Sequence, residues 1–163
     1  DVWVRLARPH DTAAVAAMHE RCSQQSRFQR YFTPMDTWRE EHLRRISGGH
    51  RGATLVATAG EADVVALGNV FPAGDPQASA AEIAVIVDDA WQRRGLGRAM
   101  LRHLIDVARQ LGFASVRAYV LAENGGMLRL LESLDLAWTH RVDHDFGPSV
   151  VCLEADLVVP RGL

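Results

Sequence analysis

The spacing of hydrophobic residues along the chain predicts seven β-strands. Residues 2–7, VWVRLA, alternate and are rich in β-forming residues, which is typical of a strand with one buried face. Runs of the same character recur at residues 53–59, 64–71, 81–87, 115–121, 137–142 and 149–157. A turn at Gly60-Glu61 joins the second and third runs, and the last two form an antiparallel pair.

Hydrophobic residues three or four positions apart predict four helices. The first follows Asp11, whose side chain is expected to cap it, and the second follows a cap at Thr37 and ends at Gly48-Gly49. The third covers residues 95–111 and the fourth covers residues 125–134. The buried side of the third helix is expected to consist of Met100, Leu101, Leu104, Ile105 and Ala108.

The order of these elements is β-α-α-β-β-β-α-β-α-β-β. It predicts one α/β domain over residues 1–163, with a mixed, mostly antiparallel sheet of about six to seven strands flanked by about four helices. A length of 163 residues suits a single sizeable core. The chain begins at Asp1 without a methionine, so a domain excised from a longer chain is also an interpretation of this sequence.

Charge and cysteine content make several classes of function unexpected. The net charge is −2, which gives no basic surface for nucleic acid or a membrane. All 18 basic residues are arginine, which excludes the lysine of a P-loop or of a Schiff base. Cys22 and Cys152 lie far apart, so we expect no disulfide framework and no structural zinc site, and we expect a cytoplasmic location.

The segment WQRRGLGRAM, residues 91–100, opens the third helix and is the first candidate for chemistry. A Walker A loop requires Lys and Ser or Thr where Arg98 and Ala99 stand, and a dinucleotide fingerprint requires glycine at Met100. Two interpretations remain open on these residues alone. The segment is either a glycine turn beside solvated arginines, or a cradle of backbone N–H groups for a pyrophosphate at a helix N-terminus.

The residues around this segment resemble a family. IAVIVDDAWQRRGLGRAM, residues 83–100, resembles motif A of the GNAT superfamily of N-acetyltransferases, in which a strand and an acidic turn precede the pattern Q/R-x-x-G-x-G/A. Residues 119–138 are similar to the family's second cofactor segment, and the whole resemblance covers roughly residues 2–157. It implies direct transfer of an acetyl group from acetyl-CoA to an amine.

The resemblance also implies a cofactor site. The pantetheine arm is expected to lie along Val85, Ile86 and Val87 as an added strand, with the N–H of Ile86 on the thioester oxygen. Asn124 matches an asparagine that reaches the pantetheine in the family, although a helix cap explains the same residue. The pyrophosphate is expected on the backbone N–H groups of Arg93, Arg94, Gly95, Leu96, Gly97 and Arg98.

Glu82 is the candidate general base. A lysine amine has a pKa near ~10.4 and must lose a proton before it can attack. Glu82 begins the strand that carries the cofactor contacts, where burial can raise the pKa of a carboxylate, but an exposed charge at a strand end is the commoner fate of glutamate. A glutamate here is similar to the proposed base of Pat-type bacterial protein lysine acetyltransferases, and this resemblance favours the role of base.

The chain departs from the family at one functional position. The family tyrosine that protonates the leaving thiolate falls on Leu131, and a glycine-phenylalanine pair falls on Asp135 and Leu136. A thiol with a pKa near ~8.5 is a tolerable leaving group, so activity is still expected. The segment SRFQRYF, residues 26–32, is similar to a Pat-type segment that overhangs the acceptor groove, and a hydrophobic plug with two solvated arginines explains it equally well.

The prediction is therefore an acetyl-CoA-dependent N-acetyltransferase whose partners are acetyl-CoA and a protein with an exposed lysine. A small-molecule amine N-acetyltransferase is the first alternative, and a non-catalytic acyl-CoA-binding regulatory module is the second. No metal is expected, because His140 and His144 would stand about 13 Å apart on a strand. Nucleic acid and membrane are not expected as partners.

Overall fold

The computed structural model describes residues 1–32, 51–143 and 149–157. Its strands are β1 (Val2–Leu6), β2 (Ala53–Ala59), β3 (Asp63–Pro72), β4 (Ala80–Val87), β5 (Ser115–Leu121), β6 (Thr139–Val142) and β7 (Val150–Asp156). They form one sheet in the order β1-β2-β3-β4-β5-β7-β6. Every neighbouring pair is antiparallel except β4 and β5, which are parallel. The predicted fold class, a mixed and mostly antiparallel α/β fold, is confirmed.

Four α-helices occur among the described residues: α1 (Thr12–Arg21), α2 (Gln24–Tyr31), α3 (Leu96–Gln110) and α4 (Gly125–Glu132). The first two lie on one face of the sheet, where Val15 and Met18 pack on a small hydrophobic cluster that includes Ile86. The larger core lies on the other face, where the predicted apolar side of α3 packs on β2, β3 and β4. Since strand residues alternate between faces, each central strand contributes to both cores.

A glycine in β3 allows α3 to approach the sheet closely. A Cβ at Gly68 would lie 3.0 Å from Leu104 Cδ1 and 3.1 Å from Met100 Cε. Both side chains are fully buried, so they have no room to retreat from an added methyl group. The absence of a side chain at Gly68 therefore fixes the distance between α3 and the centre of the sheet.

The parallel pair β4 and β5 is joined over only part of its length. Residues 80–82 of β4 pair with residues 115–117 of β5, and no pairing follows beyond Glu82 and Arg117. The remainder of β4 stays paired with β3 on its other side up to Val87. The second half of β4 therefore has one backbone edge that no strand of the described residues covers.

The predicted elements within the described residues are confirmed to within two residues at each end. The capping role predicted for Asp11 is wrong. Asp11 stands at the N-cap position of α1, but its carboxylate accepts hydrogen bonds from both Nη atoms of Arg5, at 2.7 and 2.8 Å. Arg5 lies on β1, so its reach to α1 depends on tertiary structure. The helix predicted after Thr37 lies outside the described residues.

Candidate active site

A cleft of about 610 Å³ lies where β4 and β5 diverge. Its wall is formed by β5, the second half of β4, α2, and the starts of α3 and α4. Three predicted site residues, Glu82, Arg94 and Leu96, do not line it. The structure brings the other predicted residues together in its wall: Val85, Ile86, Val87, Arg93, Gly95, Gly97, Arg98 and Asn124.

The hydrogen-bonding pattern between β3 and β4 determines which backbone groups of β4 face the cleft. The N–H of Asp88 bonds to the carbonyl of Val65 at 2.9 Å, and the N–H of Ala73 bonds to the carbonyl of Ala80 at 2.9 Å. The register between these two bonds is unbroken. In an antiparallel ladder, every second residue exchanges hydrogen bonds with its partner. The even-numbered residues of β4 therefore point their N–H and C=O groups to β3.

This hydrogen-bonding pattern corrects the role predicted for Ile86. Ile86 lies opposite Leu67, so its N–H belongs to the ladder with β3 and cannot bind a thioester oxygen in the cleft. The prediction failed because the direction of an N–H group depends on register, which a single strand sequence does not specify. The N–H groups of Val85 and Val87 point to the uncovered edge, where the cleft lies.

The side chain of Gln92 bridges two walls of the cleft, a role that the sequence analysis missed. Its Nε2 donates to the carbonyl of Val87 at 3.0 Å and to Ser26 Oγ at 3.0 Å. Gln92 therefore connects the end of β4 to α2. Its place as the first residue of the Q/R-x-x-G-x-G/A pattern was the signal that could have identified it.

Residues 93–98 form a loop of unused backbone donors at the start of α3. None of their N–H groups bonds to an acceptor among the described residues, whereas the N–H of Ala99 bonds to the carbonyl of Gly95 at 3.1 Å. Arg93 and Gly95 have left-handed φ angles of 60° and 83°. Free N–H groups and the helix dipole suit an anion at this place. The cradle interpretation of this segment is therefore favoured over a simple turn.

The arginine side chains of this loop take different directions. Arg98 lies beside the cleft, and its Nη2 donates to the carbonyl of Ser133 at 3.1 Å. Arg94 instead stacks on Trp91, with its guanidinium carbon 5.1 Å from the ring centroid, and lines a second cavity of about 520 Å³ next to β1. Only the backbone of Arg94, not its side chain, is therefore available to the loop.

The structure gives Asn124 the alternative role considered for it. Its Oδ1 caps α4 by accepting a hydrogen bond from the N–H of Met127 at 3.2 Å, while the residue also lines the cleft. Leu131, at the family tyrosine position, is completely buried in the larger core. A side chain in that position therefore serves packing in this chain.

Glu82 is half-buried on the face of the sheet that α2 covers. Its side chain is on the same side of β4 as that of Ile86, and it lies opposite Phe71 on β3. No described residue forms a hydrogen bond with its carboxylate. Burial raises the pKa of Glu82, and the positive charge of Arg30 opposes this effect. A carboxylate in this environment has the properties of a general base.

Tyr119 is a second candidate that the sequence analysis missed. It lies on β5, lines the cleft, and is on the same face of the sheet as Glu82 because Glu82 and Arg117 are register partners. Burial raises the pKa of its hydroxyl, and nearby Cys152 and Glu82 contribute to this. The phenol is therefore protonated at neutral pH and can donate a proton or a hydrogen bond. The signal was a tyrosine five residues before Asn124 in a predicted strand.

The segment SRFQRYF forms most of α2, and the interpretation of two solvated arginines is wrong. The Nε atoms of Arg27 and Arg30 are buried, and Arg30 Nη2 donates to Asn69 Oδ1 at 2.9 Å. Asn69 is completely buried on β3. Arginine side chains are long enough to reach past the edge of a helix into a sheet, which their positions in sequence do not reveal.

The two histidines considered for a metal do not form a site in the described part of the chain. His140 Nε2 lies 3.4 Å from Glu132 Oε1, and His144 lies outside the described residues. No group of three or more His, Cys, Asp or Glu side chains in residues 1–32, 51–143 and 149–157 could hold a metal ion. Over the same residues, no helix is long and apolar enough to cross a membrane.

An uncovered strand edge that leads to a helix N-terminus with free N–H groups suits a ligand with an extended, amide-containing arm and a phosphate group. Residues 14–135 match the acetyltransferase (GNAT) family, and the chain belongs to that family. Members of this family are acyltransferases that use acetyl-CoA, so the predicted class of enzyme and its co-substrate are confirmed.

Known proteins resemble this chain in sequence and in structure. It is 46% identical over 50 residues to the [ribosomal protein bS18]-alanine N-acetyltransferase of Escherichia coli K12, a match that covers 31% of this chain and 34% of that relative. The GNAT domain of S. lividans PAT has a TM-score of 0.82 and 29% identity, covering 94% of this chain and 89% of that domain.

A third comparison concerns the cofactor. The structure of yncA from Salmonella typhimurium, solved with its cofactor acetyl-CoA, has a TM-score of 0.71 and 22% identity, covering 99% of this chain and 95% of that protein. It shows the shared fold. The closeness to Pat-type enzymes in particular is not confirmed, because the curated sequence relatives are ribosomal-protein-alanine acetyltransferases matched over about a third of their length.

Proposed function

We propose that this chain is an acetyl-CoA-dependent N-acetyltransferase that acts on an amine of a protein in the cytoplasm, with a lysine side chain as the preferred acceptor. The observation that carries the proposal is the uncovered edge of β4, which continues into the donor loop of residues 93–98. Together they match the two chemically different parts of acetyl-CoA, an amide-containing pantetheine arm and a pyrophosphate.

In this proposal the chain holds acetyl-CoA mainly through backbone groups. The N–H groups of residues 93–98 bind the pyrophosphate, and a Cβ at Gly97 would lie 3.3 Å from Leu130 Cδ2, so little space remains there. The N–H of Val87 pairs with the pantetheine arm. The N–H of Val85 lies one cleft-facing position deeper and stabilises negative charge on the thioester oxygen. Bound acetyl-CoA supplies the activated acetyl group.

Glu82 and Tyr119 are the proposed proton-transfer groups. Glu82 accepts a proton from the acceptor amine, directly or through a water molecule. Three residues, about 10 Å of strand, separate it from Val85, a distance that a side chain and one water molecule can span. Its raised pKa favours proton acceptance near neutral pH. Tyr119 lines the cleft on the same face of the sheet as Glu82 and carries a protonated hydroxyl, which replaces the absent tyrosine at Leu131 as donor to the departing thiolate.

Two acceptors are supported by different observations. The structural similarity to the GNAT domain of S. lividans PAT, at 29% identity over most of both chains, supports the Pat-type assignment and hence a lysine side chain. The 46% identity over 50 residues with the E. coli alanine N-acetyltransferase supports an N-terminal amine as the second candidate. Lysine is preferred because Glu82 supplies the base that a strongly protonated amine requires.

A labelling experiment separates these acceptors. The protein is incubated with labelled acetyl-CoA and either a lysine peptide with a blocked N-terminus, a lysine-free peptide with an N-terminal alanine, or a panel of small amines. We expect label mainly in the lysine peptide. Label mainly in the alanine peptide would favour the second candidate, and label only in small amines would overturn a protein acceptor. Acetyl-CoA binding without label in any acceptor would identify a non-catalytic module.

A further inference from the structure

Arg30 is held inside the protein by a chain of buried polar groups. Its Nη2 donates to Asn69 Oδ1 at 2.9 Å, and Asn69 Nδ2 donates to Thr54 Oγ1 at 3.2 Å. Asn69 is completely buried and Thr54 nearly so. Buried polar groups are costly unless they are paired, so this chain of hydrogen bonds defines one position for the guanidinium end of Arg30.

A second contact holds the same side chain from the helix. The guanidinium carbon of Arg30 lies 4.6 Å from the ring centroid of Tyr31. The hydroxyl of Tyr31 lies 2.6 Å from His19 Nε2, and His19 Nδ1 lies 2.9 Å from the carbonyl of Val15. A carbonyl only accepts, so Nδ1 donates to it, and in the neutral ring Nε2 accepts from the hydroxyl of Tyr31. These bonds attach α2 to α1 at the residue next to Arg30.

The register of the sheet places Arg30 close to Glu82. Asn69 lies opposite Ala84, and the following residue on the same face of β4 in the N-terminal direction is Glu82. Diagonal neighbours of this kind are about 7–8 Å apart, which is within reach of a long side chain bound to one of them. Arg30 also lines the cleft. Its buried Nε has no acceptor among the described residues, and no described carboxylate forms an ion pair with it.

The other charged and titratable groups that face Glu82 in the described part of the chain are on β5. Arg117 is its register partner, but Arg117 Nε donates to Glu154 Oε2 at 2.8 Å, so its charge is already compensated. Tyr119 is neutral while its hydroxyl is protonated. The uncompensated positive charge near Glu82 is therefore that of Arg30, and Coulomb attraction across a half-buried site is not fully screened by solvent.

We propose that Arg30 is a positioning residue for Glu82: it keeps the Glu82 carboxylate ionised and therefore able to accept the proton of the acceptor amine. Asn69 and Thr54 fix Arg30 in the place where it does so. The role in catalysis rests on the proposed function of Glu82 as the base. The electrostatic control of Glu82 by Arg30 does not depend on that function.

The direct test is an NMR titration of the Glu82 side-chain carboxyl carbon in ¹³C-labelled protein, with the signal identified by its loss in Glu82→Gln. We expect Arg30→Gln to raise the pKa of Glu82 by about one pH unit, and Asn69→Ala to raise it by less, because removal of an opposite charge favours the neutral acid. Arg30→Lys, which retains the charge, should restore most of the difference. Arg27→Gln is the matched control on the same helix and should leave the pKa of Glu82 unchanged.

The kinetic readout is the acidic limb of the pH profile of kcat/KM. In Arg30→Gln this limb should shift to higher pH by the same amount as the pKa of Glu82. An unchanged pKa of Glu82 in folded Arg30→Gln, or an equal rise in Arg27→Gln, would overturn the proposal. If Arg30→Gln does not fold, Arg30→Met keeps the alkyl stem, removes the charge and carries the same expectation. If Glu82→Gln leaves turnover unchanged, the proposed base is wrong, while the titration still decides whether Arg30 controls the ionisation of Glu82.

Discussion

Glu82 combines two properties that favour a chemical role. It is half-buried, which raises its pKa, and it has no hydrogen-bond partner among the described residues. A structural carboxylate such as Asp11 shows the opposite behaviour, because its partners lower its pKa to about 2. An acid that folding leaves without partners is available to a ligand, and this contrast supports a chemical role for Glu82.

Replacement of Glu82 by glutamine tests this role. We expect Glu82→Gln to keep its affinity for acetyl-CoA, because Glu82 lies outside the cleft wall, and to lower turnover at least about tenfold. The loss should be larger for a lysine acceptor, with a pKa near ~10.4, than for an N-terminal amine, with a pKa near ~8, since more of the latter is already deprotonated at neutral pH.

The measurements are steady-state kinetics with the two peptides and calorimetric titration with acetyl-CoA. Glu61→Gln, which changes a glutamate in the turn between β2 and β3, is the control for a lost charge. Equal turnover of Glu82→Gln and the unchanged protein on the lysine peptide would remove Glu82 from the mechanism.

At the scale of single residues, sequence reasoning identified the candidate residues better than it predicted the directions of their side chains and backbone N–H groups. Glu82 was predicted from its place at the start of an apolar strand together with the resemblance to Pat-type enzymes, and it is half-buried. The thioester contact was wrongly assigned to the N–H of Ile86, because the register with β3 determines which N–H groups of β4 point to β3 and which point to the cleft. Solvated arginines were one of two equal interpretations of residues 26–32, and that one was wrong because the contact of Arg30 with Asn69 joins residues 39 positions apart.

The uncovered edge of β4 is an element with two chemically different sides. On one side the N–H of Ile86 is committed to β3, and on the other the N–H groups of Val85 and Val87 face the cleft. Amide hydrogen exchange distinguishes these sides, because exchange requires that a hydrogen bond be absent or broken.

We expect the amides of Val85 and Val87 to become more protected when coenzyme A is added, whereas Ile86 should be protected in both states. The measurement is residue-resolved hydrogen exchange by NMR, with and without saturating coenzyme A. Ile83, whose N–H points to β5 where Glu82 and Arg117 are still paired, is the internal control and should also be protected in both states. Protection of Ile86 alone on addition of coenzyme A would contradict the deduced phase of the ladder.

The loop at the start of α3 binds through its backbone, so substitutions that fill it and substitutions that remove a side chain should differ. Gly97→Glu adds bulk against Leu130 and a negative charge where an anion is proposed, and it should abolish acetyl-CoA binding. Arg98→Ala leaves the N–H groups in place and should only weaken binding. Dissociation constants from calorimetry give the comparison, and normal binding by both variants would contradict the cradle.

Elements were more predictable than the cleft that they form. Periodicity located the strands and α3 to within two residues because it reports which face is buried. The divergence of β4 from β5 has no such signature, since β4 reads as one continuous apolar run from residue 81 to residue 87. The cleft was therefore inferred from family resemblance, and its geometry required the structure.

At the scale of the whole molecule, a part-buried ion pair attaches the edge strand β1 to the helical layer. Arg5 on β1 makes a two-point contact with Asp11 at the start of α1, and the N–H of Arg8 adds a third hydrogen bond to the same carboxylate at 2.6 Å. Only 4% of Asp11 is exposed, so solvent screens the pair weakly. This contact should make stability depend on pH.

The sign of that dependence follows from the direction of the shift. The pKa of Asp11 is lowered from 3.8 to about 2, mainly by the hydrogen bonds from Arg5, so the folded protein holds the charged form more strongly than the unfolded chain does. The resulting stabilisation, about 2 kcal/mol, is present above the unfolded pKa and is lost as the pH falls from about 4 through 2.

Asp11→Asn should therefore lower the free energy of unfolding at pH 7 by about that amount, and the difference from the unchanged protein should shrink below pH 4. Urea denaturation across this range measures it, with Asp106→Asn as control because its pair with Arg109 is exposed and worth little. A difference that stayed constant with pH would show that Asp11 stabilises the junction of β1 and α1 through packing and neutral hydrogen bonds, not through its charge.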